Sequence, residues 1–443
     1  MSRAERLLMQ LIFLYTCAEG LVTGILYPSK WPYLYKDVAI LAVYALILLR
    51  RPGRLLMPSA TLRHVVPPIL LFAFVTLVYL LLPGESLLGG LVALKQRLFY
   101  IPLLGIGYLF VRREQDLERL FAFLACYAIV VAAFGIFLHF AGPGSLRDVG
   151  NYYAVEERTP VTEGSSATYW RVPGTFNSPG QYSAYLLFNG LTAMSLIITR
   201  AAPTAYRRLA AVALPMIVLA MLASGARAPL ILLSACVALV LLARRRVAPV
   251  VGIAVAAYAV LAFGFSFLGP GVSDRFASIV SHEHVERFQR TYFGQPFLPS
   301  LLERPLGSGL GVATIGARHF SEFKEVLLVE SYLGIVGLET GVLGLAAFLW
   351  GAMAIGVLVL RLRRVVQGTP AAPLWYGLAA YVGLSLFTLP VSTGIDHAPS
   401  NLYFWFSIGA LVRLADLARG RPSDPDPAGR ARTAVLARTP PGP

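Results

Sequence analysis

Residues 341–364 read GVLGLAAFLWGAMAIGVLVLRLRR, an uncharged run closed by Arg361, Arg363 and Arg364. About 20 apolar residues are what a helix needs to cross the hydrocarbon core of a bilayer. Arginines gathered at one end assign that end to the cytoplasm, because cytoplasmic loops hold an excess of Lys and Arg. The same unit recurs along the chain. Apolar runs between polar punctuation predict spans near 8–27, 37–50, 64–83, 90–111, 118–141, 179–199, 209–223, 228–243, 248–268, 341–360, 374–392 and 401–417. Every second connection is basic: Arg50, Arg51, Arg54 and Arg63; Arg112, Arg113 and Arg119; Arg200, Arg207 and Arg208; Arg244, Arg245 and Arg246; then the closing trio above. The tail adds Arg413, Arg419 and Arg421. This alternation predicts an even number of spans with both termini cytoplasmic.

Composition agrees. The chain has 443 residues, 57% of them hydrophobic and only 14% charged, with a mean hydropathy of +0.67. A soluble domain carries roughly 25% charged residues, so a water-facing surface of this size is excluded. Disorder, coiled coil, collagen and a disulfide-rich secreted domain are excluded as readings of the whole chain. The net charge of +15 belongs to the inner loops, so membrane lipids are the expected environment and nucleic acid is not a partner. Cys17, Cys126 and Cys236 all lie in apolar stretches, an odd set that suggests neither a disulfide framework nor a metal site. No cleavable signal peptide is evident, and the first apolar run reads as a retained span.

The expected architecture is an all-α polytopic membrane domain over 1–417, followed by a disordered cytoplasmic tail over 418–443. Two long connections, 142–178 and 269–326, lack the cationic excess of the inner loops and are placed outside. The second contains six Arg/Lys and six Asp/Glu together with its own aromatic residues, which predicts a folded lid with short helices. Residues 326–340 are apolar but too short to span. Counting them as a full span would put Arg361 outside. They read as a half-membrane helix that descends from the outer face and breaks near Gly341, backbone irregularity that lipid tolerates only where it lines a cavity.

Ionisable residues in a membrane domain are costly and mark function by default. Here they are Glu19, Lys95, Arg97, Arg171, Arg227, Glu330, Glu339 and Asp396. In Ser224-Gly-Ala-Arg227-Ala-Pro229, Ser224 is read as an N-cap with Arg227 in the first turn, so that helix dipole and guanidinium converge on one anion site. The plainer reading is an arginine snorkelling at a short loop. Arg171 precedes a similar start, with Ser178 as cap and Pro179 at the first helical position. There the alternative is a Gly/Pro turn with an incidental arginine. Asp396-His-Ala-Pro-Ser400-Asn is a third outer helix start. Glu330 opens the half-helix, where a carboxylate acts as a general base or as a salt-bridge anchor. Glu339, nine residues on, falls about 180° around the helix, and Lys95 and Arg97 are about 200° apart, so at most one of each pair faces the bundle. His282 and His284 have no carboxylate at metal-ligand spacing. No Gly-rich nucleotide loop, Ser-His-Asp order or Cys pair is present.

At these residues the chain resembles the O-antigen ligase and O-antigen polymerase superfamily of bacterial membrane glycosyltransferases. Four pieces match in order: Arg171 with Gly174-Thr-Phe-Asn177-Ser-Pro179, Ser224-Gly-Ala-Arg227, Arg304-Pro-Leu-Gly-Ser-Gly-Leu-Gly311, and Glu330-Ser-Tyr332-Leu followed by Leu338-Glu339-Thr-Gly-Val-Leu-Gly344. The resemblance implies a C-type glycosyltransferase fold of about twelve spans in the bacterial inner membrane, with a periplasmic active site and no metal or cofactor. The implied donor is a glycan on undecaprenyl pyrophosphate, and the implied acceptor is a glycan or lipid A core. Polysaccharide assembly proteins are implied partners. It assigns catalysis to Arg227 and Glu330, with Arg171, Lys95, Arg97, Ser224, Asn177, Arg304, Gly311, Tyr332 and His319 at the substrate. The Pro305–Gly311 piece reads as a substrate-facing turn whose glycines allow close approach. Ligases of this family begin the half-helix with a histidine, whereas Val329-Glu330 stands here and the nearest upstream histidine is His319. That departure favours a polymerase of lipid-linked repeat units over a ligase. A transporter of lipid-linked sugars is the rival of another class, although no internal repeat of halves is visible.

Overall fold

In hydrocarbon every backbone N–H and C=O must find its partner within the segment, so apolar runs of this kind become helices. The computed structural model describes residues 1, 3–26, 29, 31–50, 55, 59–81, 86–142, 145, 170–225, 227–243, 259, 261–277, 301–314, 316–317, 329 and 331–420. Among these residues there is no strand. The helices are α1 (Arg3–Ile25), α2 (Pro32–Arg50), α3 (Val66–Leu81), α4 (Leu87–Leu98), α5 (Leu103–Phe110), α6 (Glu114–Ala141) and α7 (Pro179–Ile198). They continue with α8 (Thr204–Ala223), α9 (Arg227–Ala243), α10 (Pro270–Ala277), α11 (Tyr332–Val366), α12 (Ala372–Phe387) and α13 (Ser400–Arg419). Five stretches are long and apolar enough to cross a membrane: Ala4–Ile25, Leu87–Phe110, Glu114–Ala141, Thr204–Ala223 and Tyr332–Val366. The protein is therefore an all-helical membrane protein.

Each predicted span overlaps a helix, apart from 248–268, of which only 259 and 261–268 are described and helical. The lid predicted over 269–326 begins as a helix, α10, and its 278–300 stretch lies outside the described residues. The predicted tail starts late, because α13 runs on to Arg419; residues 421–443 lie outside the described residues. Two ion pairs gather the start of α1, the end of α2 and the start of α6 at one end of the bundle: Arg50–Glu5 at 2.8 Å and Arg6–Asp116 at 2.9 Å.

One predicted span is not continuous. The run expected over 90–111 is two helices, α4 and α5, joined by a turn at 99–102. Pro102 cannot donate a backbone hydrogen bond and crowds the carbonyl four residues back, which breaks the helix. The exposed carbonyl of Phe99 is satisfied by the Tyr44 hydroxyl at 2.8 Å. The sequence reading took this stretch as one helix because its hydropathy does not fall at the break.

The centre of the bundle is α7, buried without interruption from Tyr185 to Leu196. A helix apolar on all sides belongs in a core. Phe188 of α7 stacks on Tyr403 of α13 with ring centroids 4.1 Å apart. Where α5 crosses α13, Gly107 lies on the backbone of Phe406 and Gly409 on that of Leu104. Side chains at either position would force the two helices apart.

The break predicted near Gly341 is present. Gly341 adopts φ 61° and ψ −162° within α11, dividing it into Tyr332–Thr340 and a long second part. This region of backbone space is essentially reserved for glycine and costs other residues about 1–3 kcal/mol. A Cβ at 341 would in addition fall on the backbone of Pro305 and Leu306. The Gly341→Ala protein is expected to lose at least that energy, read as a lowered thermal midpoint in detergent. An unchanged midpoint would show that the break relaxes freely.

Candidate functional site

Three of the intramembrane charges, Arg97, Glu339 and Asp396, gather where α4 meets the half-helix. Ser86 caps α4, its hydroxyl accepting the Gly89 N–H at 2.9 Å, and so fixes the register that turns Arg97 inward and Lys95 outward. Lys95, half-exposed, pairs with Asp37 of α2, which also accepts the Tyr100 hydroxyl at 2.9 Å. The neighbouring Lys36 pairs with Glu19 of α1. Arg97 is buried and pairs with Glu339, itself without exposure. The two charged residues of α4 thus face opposite partners, as their angular separation demands.

Glu339 is over-determined. One carboxylate oxygen takes Arg97, and Oε1 accepts the backbone N–H groups of Ala313 at 2.8 Å and Thr314 at 2.7 Å. The same segment caps the helix break. Ser308 N–H donates to the Leu338 carbonyl at 2.7 Å, Gly309 N–H to the Glu339 carbonyl at 3.2 Å, and Val342 N–H to the Pro305 carbonyl at 2.9 Å. Carbonyls stranded by the break are thereby satisfied from the loop. The Arg304–Gly311 turn thereby braces the half-helix. Gly311, at φ 93°, lies on the backbone of Gly89 and Gly90 in α4, while Arg304 is exposed and its guanidinium reaches only Ser308, at 3.3 Å.

Arg97 is not exhausted by this pairing. It is 2% exposed, yet its Nε and Nη1 have no hydrogen-bond partner among the described residues. Asp396 is fully buried in the 3₁₀ turn Gly394–Asp396 that precedes α13, and neither of its carboxylate oxygens has one either. Asp396, Arg97, Glu339 and Tyr332 stand within electrostatic reach of one another. Burial pushes the Asp396 carboxyl up to about 7, with Arg97 opposing and Glu339 reinforcing the rise. Its neighbour His397 is pushed down to about 4 by burial and is neutral. Buried polar atoms are almost always satisfied, so a guanidinium edge and a whole carboxylate left bare mark a place built to bind.

A shallow cleft beside Arg97 is lined by Arg97, Gln96 and Tyr332 together with Phe72, Phe348, Gly351, Ala352 and Trp405. Tyr332 is held there by its N–H on the Ser392 carbonyl at 3.2 Å and by an edge contact with Phe348, ring centroids 5.2 Å apart. The half-helix that carries it is capped by Ser331, whose hydroxyl accepts the Gly334 N–H at 3.2 Å.

The other expected residues take different places. Ser178 is the N-cap foreseen, accepting the Gln181 N–H at 3.0 Å with Pro179 at the first helical position. Its segment docks on α1. Thr175 bonds both the Cys17 carbonyl and the Leu21 N–H, groups that bond each other in an unbroken helix. Asn177 is buried and accepts the Thr23 hydroxyl at 2.8 Å, and Arg171 is half-buried at the head of this segment. Ser224 is not the cap of α9. It ends α8 in a helical conformation, and its hydroxyl donates back to the Met221 carbonyl at 2.9 Å. Arg227 opens α9, half-buried, on a helix that packs against α7 and α8. Glu330 and His319 lie outside the described residues.

Two members of the buried cluster, Glu339 and Asp396, stand among the ionisable residues singled out in the sequence, without an assigned role at the substrate. The signal available was arithmetic: Arg97, inside a span, needs a carboxylate at the same depth. Compared with protein-family models and with curated protein sequences, the chain matches none.

Proposed function

We propose that this protein is a membrane glycosyltransferase that moves a glycan from undecaprenyl pyrophosphate to a sugar hydroxyl at the outer face, polymerising lipid-linked repeat units of a surface polysaccharide. The observation that carries the reading is the bare, buried guanidinium edge of Arg97 beside the bare carboxylate of Asp396. A diphosphate and a hydroxyl are the partners such a pair lacks. Arg97 binds the diphosphate and stabilises the charge that develops on it as the bond to the anomeric carbon breaks; a fixed charge in a dry site is effective because it needs no reorganisation. The acceptor oxygen attacks that carbon, and Asp396 takes its proton. The carrier diphosphate leaves with the bonding electrons. Glu339 holds Arg97 in place, and Tyr332 borders the anomeric region. Arg227 and Arg171 are assigned to the glycan-bearing outer mouth.

Reconstitution in liposomes with a purified polyprenyl-pyrophosphate oligosaccharide tests the reading. A ladder of products supports a polymerase. One transfer onto lipid A core indicates a ligase, and carrier movement without a new glycosidic bond sinks the enzymatic reading in favour of transport. With Asp396 as base, turnover is expected to rise as pH increases through about 7, where its carboxyl ionises. Arg97 and Glu339 also face it, and its neighbour His397, held down to about 4 by burial, is already neutral across that window. A flat profile of single-turnover rate against pH between 5 and 9 removes Asp396 from the proton transfer.

A further inference from the structure

We infer that Asp37 of α2 is a positioning residue for Arg97. It fastens the last turn of α4 from the face opposite the half-helix and so fixes where the bare guanidinium edge points. The inference rests on the reading that Arg97 stabilises charge on the leaving diphosphate. α4 has only 12 residues and ends at Leu98, so Lys95 and Arg97 both lie in its last turn. Helix ends fray, and Pro102 lets this helix run no further. An arginine that must meet developing charge at one point is therefore carried on the least constrained part of its helix.

The constraint comes from α2. Asp37 pairs with Lys95 and accepts the Tyr100 hydroxyl at 2.9 Å. Two turns further along α2, Tyr44 donates to the Phe99 carbonyl at 2.8 Å and sets its ring against that of Phe99, centroids 5.8 Å apart. α2 thus grips residues 95, 99 and 100, while the half-helix grips Arg97 through Glu339. α2 is itself fixed, because Lys36, about 100° around the helix from Asp37, pairs with Glu19 of α1. Three ion pairs therefore run in series: α1 to α2, α2 to α4, and α4 to the half-helix. Asp37 is buried, whereas the Lys95 side chain is 32% exposed. A lysine so placed carries its ammonium to water when its partner is neutralised. Neutralising Asp37 therefore strands no buried charge, and its main effect falls on the geometry of the turn.

The test measures single-turnover transfer and peptide-level hydrogen exchange on the full chain in nanodiscs. Asp37→Asn keeps the shape and still accepts from Tyr100. It is expected to lower the maximal rate by about 10- to 100-fold, since a displacement of about 1 Å at a reacting group costs that much. The half-saturating donor concentration is expected to stay unchanged. Amides of 95–103 are expected to exchange faster, and those of the α7 core are not. Asp37→Glu restores the charge and is expected to recover most of the rate and of the protection. Tyr44→Phe frees the Phe99 carbonyl in the same turn, is expected to shift both readouts in the same direction, and serves if Asp37→Asn is not monodisperse. Unchanged exchange, a wild-type rate in a variant whose turn exchanges faster, or a loss confined to the half-saturating donor concentration overturns the assignment. Absence of transfer from the wild type overturns the proposed function instead. Exchange then still decides, without any turnover, whether Asp37 fastens the turn.

Discussion

The Arg97→Met protein is expected to lose glycosyl transfer and about 3–5 kcal/mol of stability together. The two losses have separate causes. Removing one member of a buried ion pair strands the other charge, and that penalty is of this size. Glu339 has no exposure and would have to be neutralised or drag the half-helix toward water. Glu339→Gln in the same chain removes the stranded charge and keeps an acceptor for the Ala313 and Thr314 N–H groups. The double variant is therefore expected to regain most of the thermal midpoint while transfer stays absent, because the diphosphate has lost its cation. Recovered transfer in the double variant would reduce Arg97 to a strut. A double variant no more stable than the single one would show that the pair is not what anchors the half-helix.

The second large effect is expected to fall on rate, with donor affinity unchanged. Asp396→Asn preserves shape and removes a carboxylate that makes no hydrogen bond among the described residues. General-base catalysis contributes typically about 10²–10⁴-fold, and single-turnover transfer is expected to fall by that much with donor affinity unchanged. The sign of the stability effect is also set. The folded state holds the Asp396 proton up to about 7, well above an ordinary carboxylate, so the wild type loses stability as pH rises from the ordinary carboxylate range through that value. The Asn variant lacks this loss and is expected to be the more stable protein at pH 8. A rate within twofold of wild type, or a collapse of the fold, would assign Asp396 a structural place only.

Much of the architecture was legible along the chain because lipid imposes a local rule. A segment that cannot bond to water must bond to itself, so uncharged runs of about 20 residues announce helices wherever they occur. The half-helix and its break were legible for a related reason. Leu338-Glu339-Thr340-Gly341 ends an apolar run too short to span, at a residue that tolerates the required backbone. The cap at Ser178 followed from its own side chain and the proline after it. The failures were equally physical. At 99–102 hydropathy stays high through a break made by one proline. At Ser224 the hydroxyl had two helices within reach, and it bonds the one behind it.

What the sequence by itself determined is the set of helices, the order in which they cross, and a short inventory of charges that a membrane interior would not hold without purpose. Which of those charges answer one another was decided only by the tertiary structure. Arg97 and Glu339 are 242 residues apart, and an ion pair depends on distance and burial in three dimensions, which no local spacing encodes. The bare edge of Arg97, the bare carboxylate of Asp396 and the cleft between α3 and α11 exist only because those helices pack as they do.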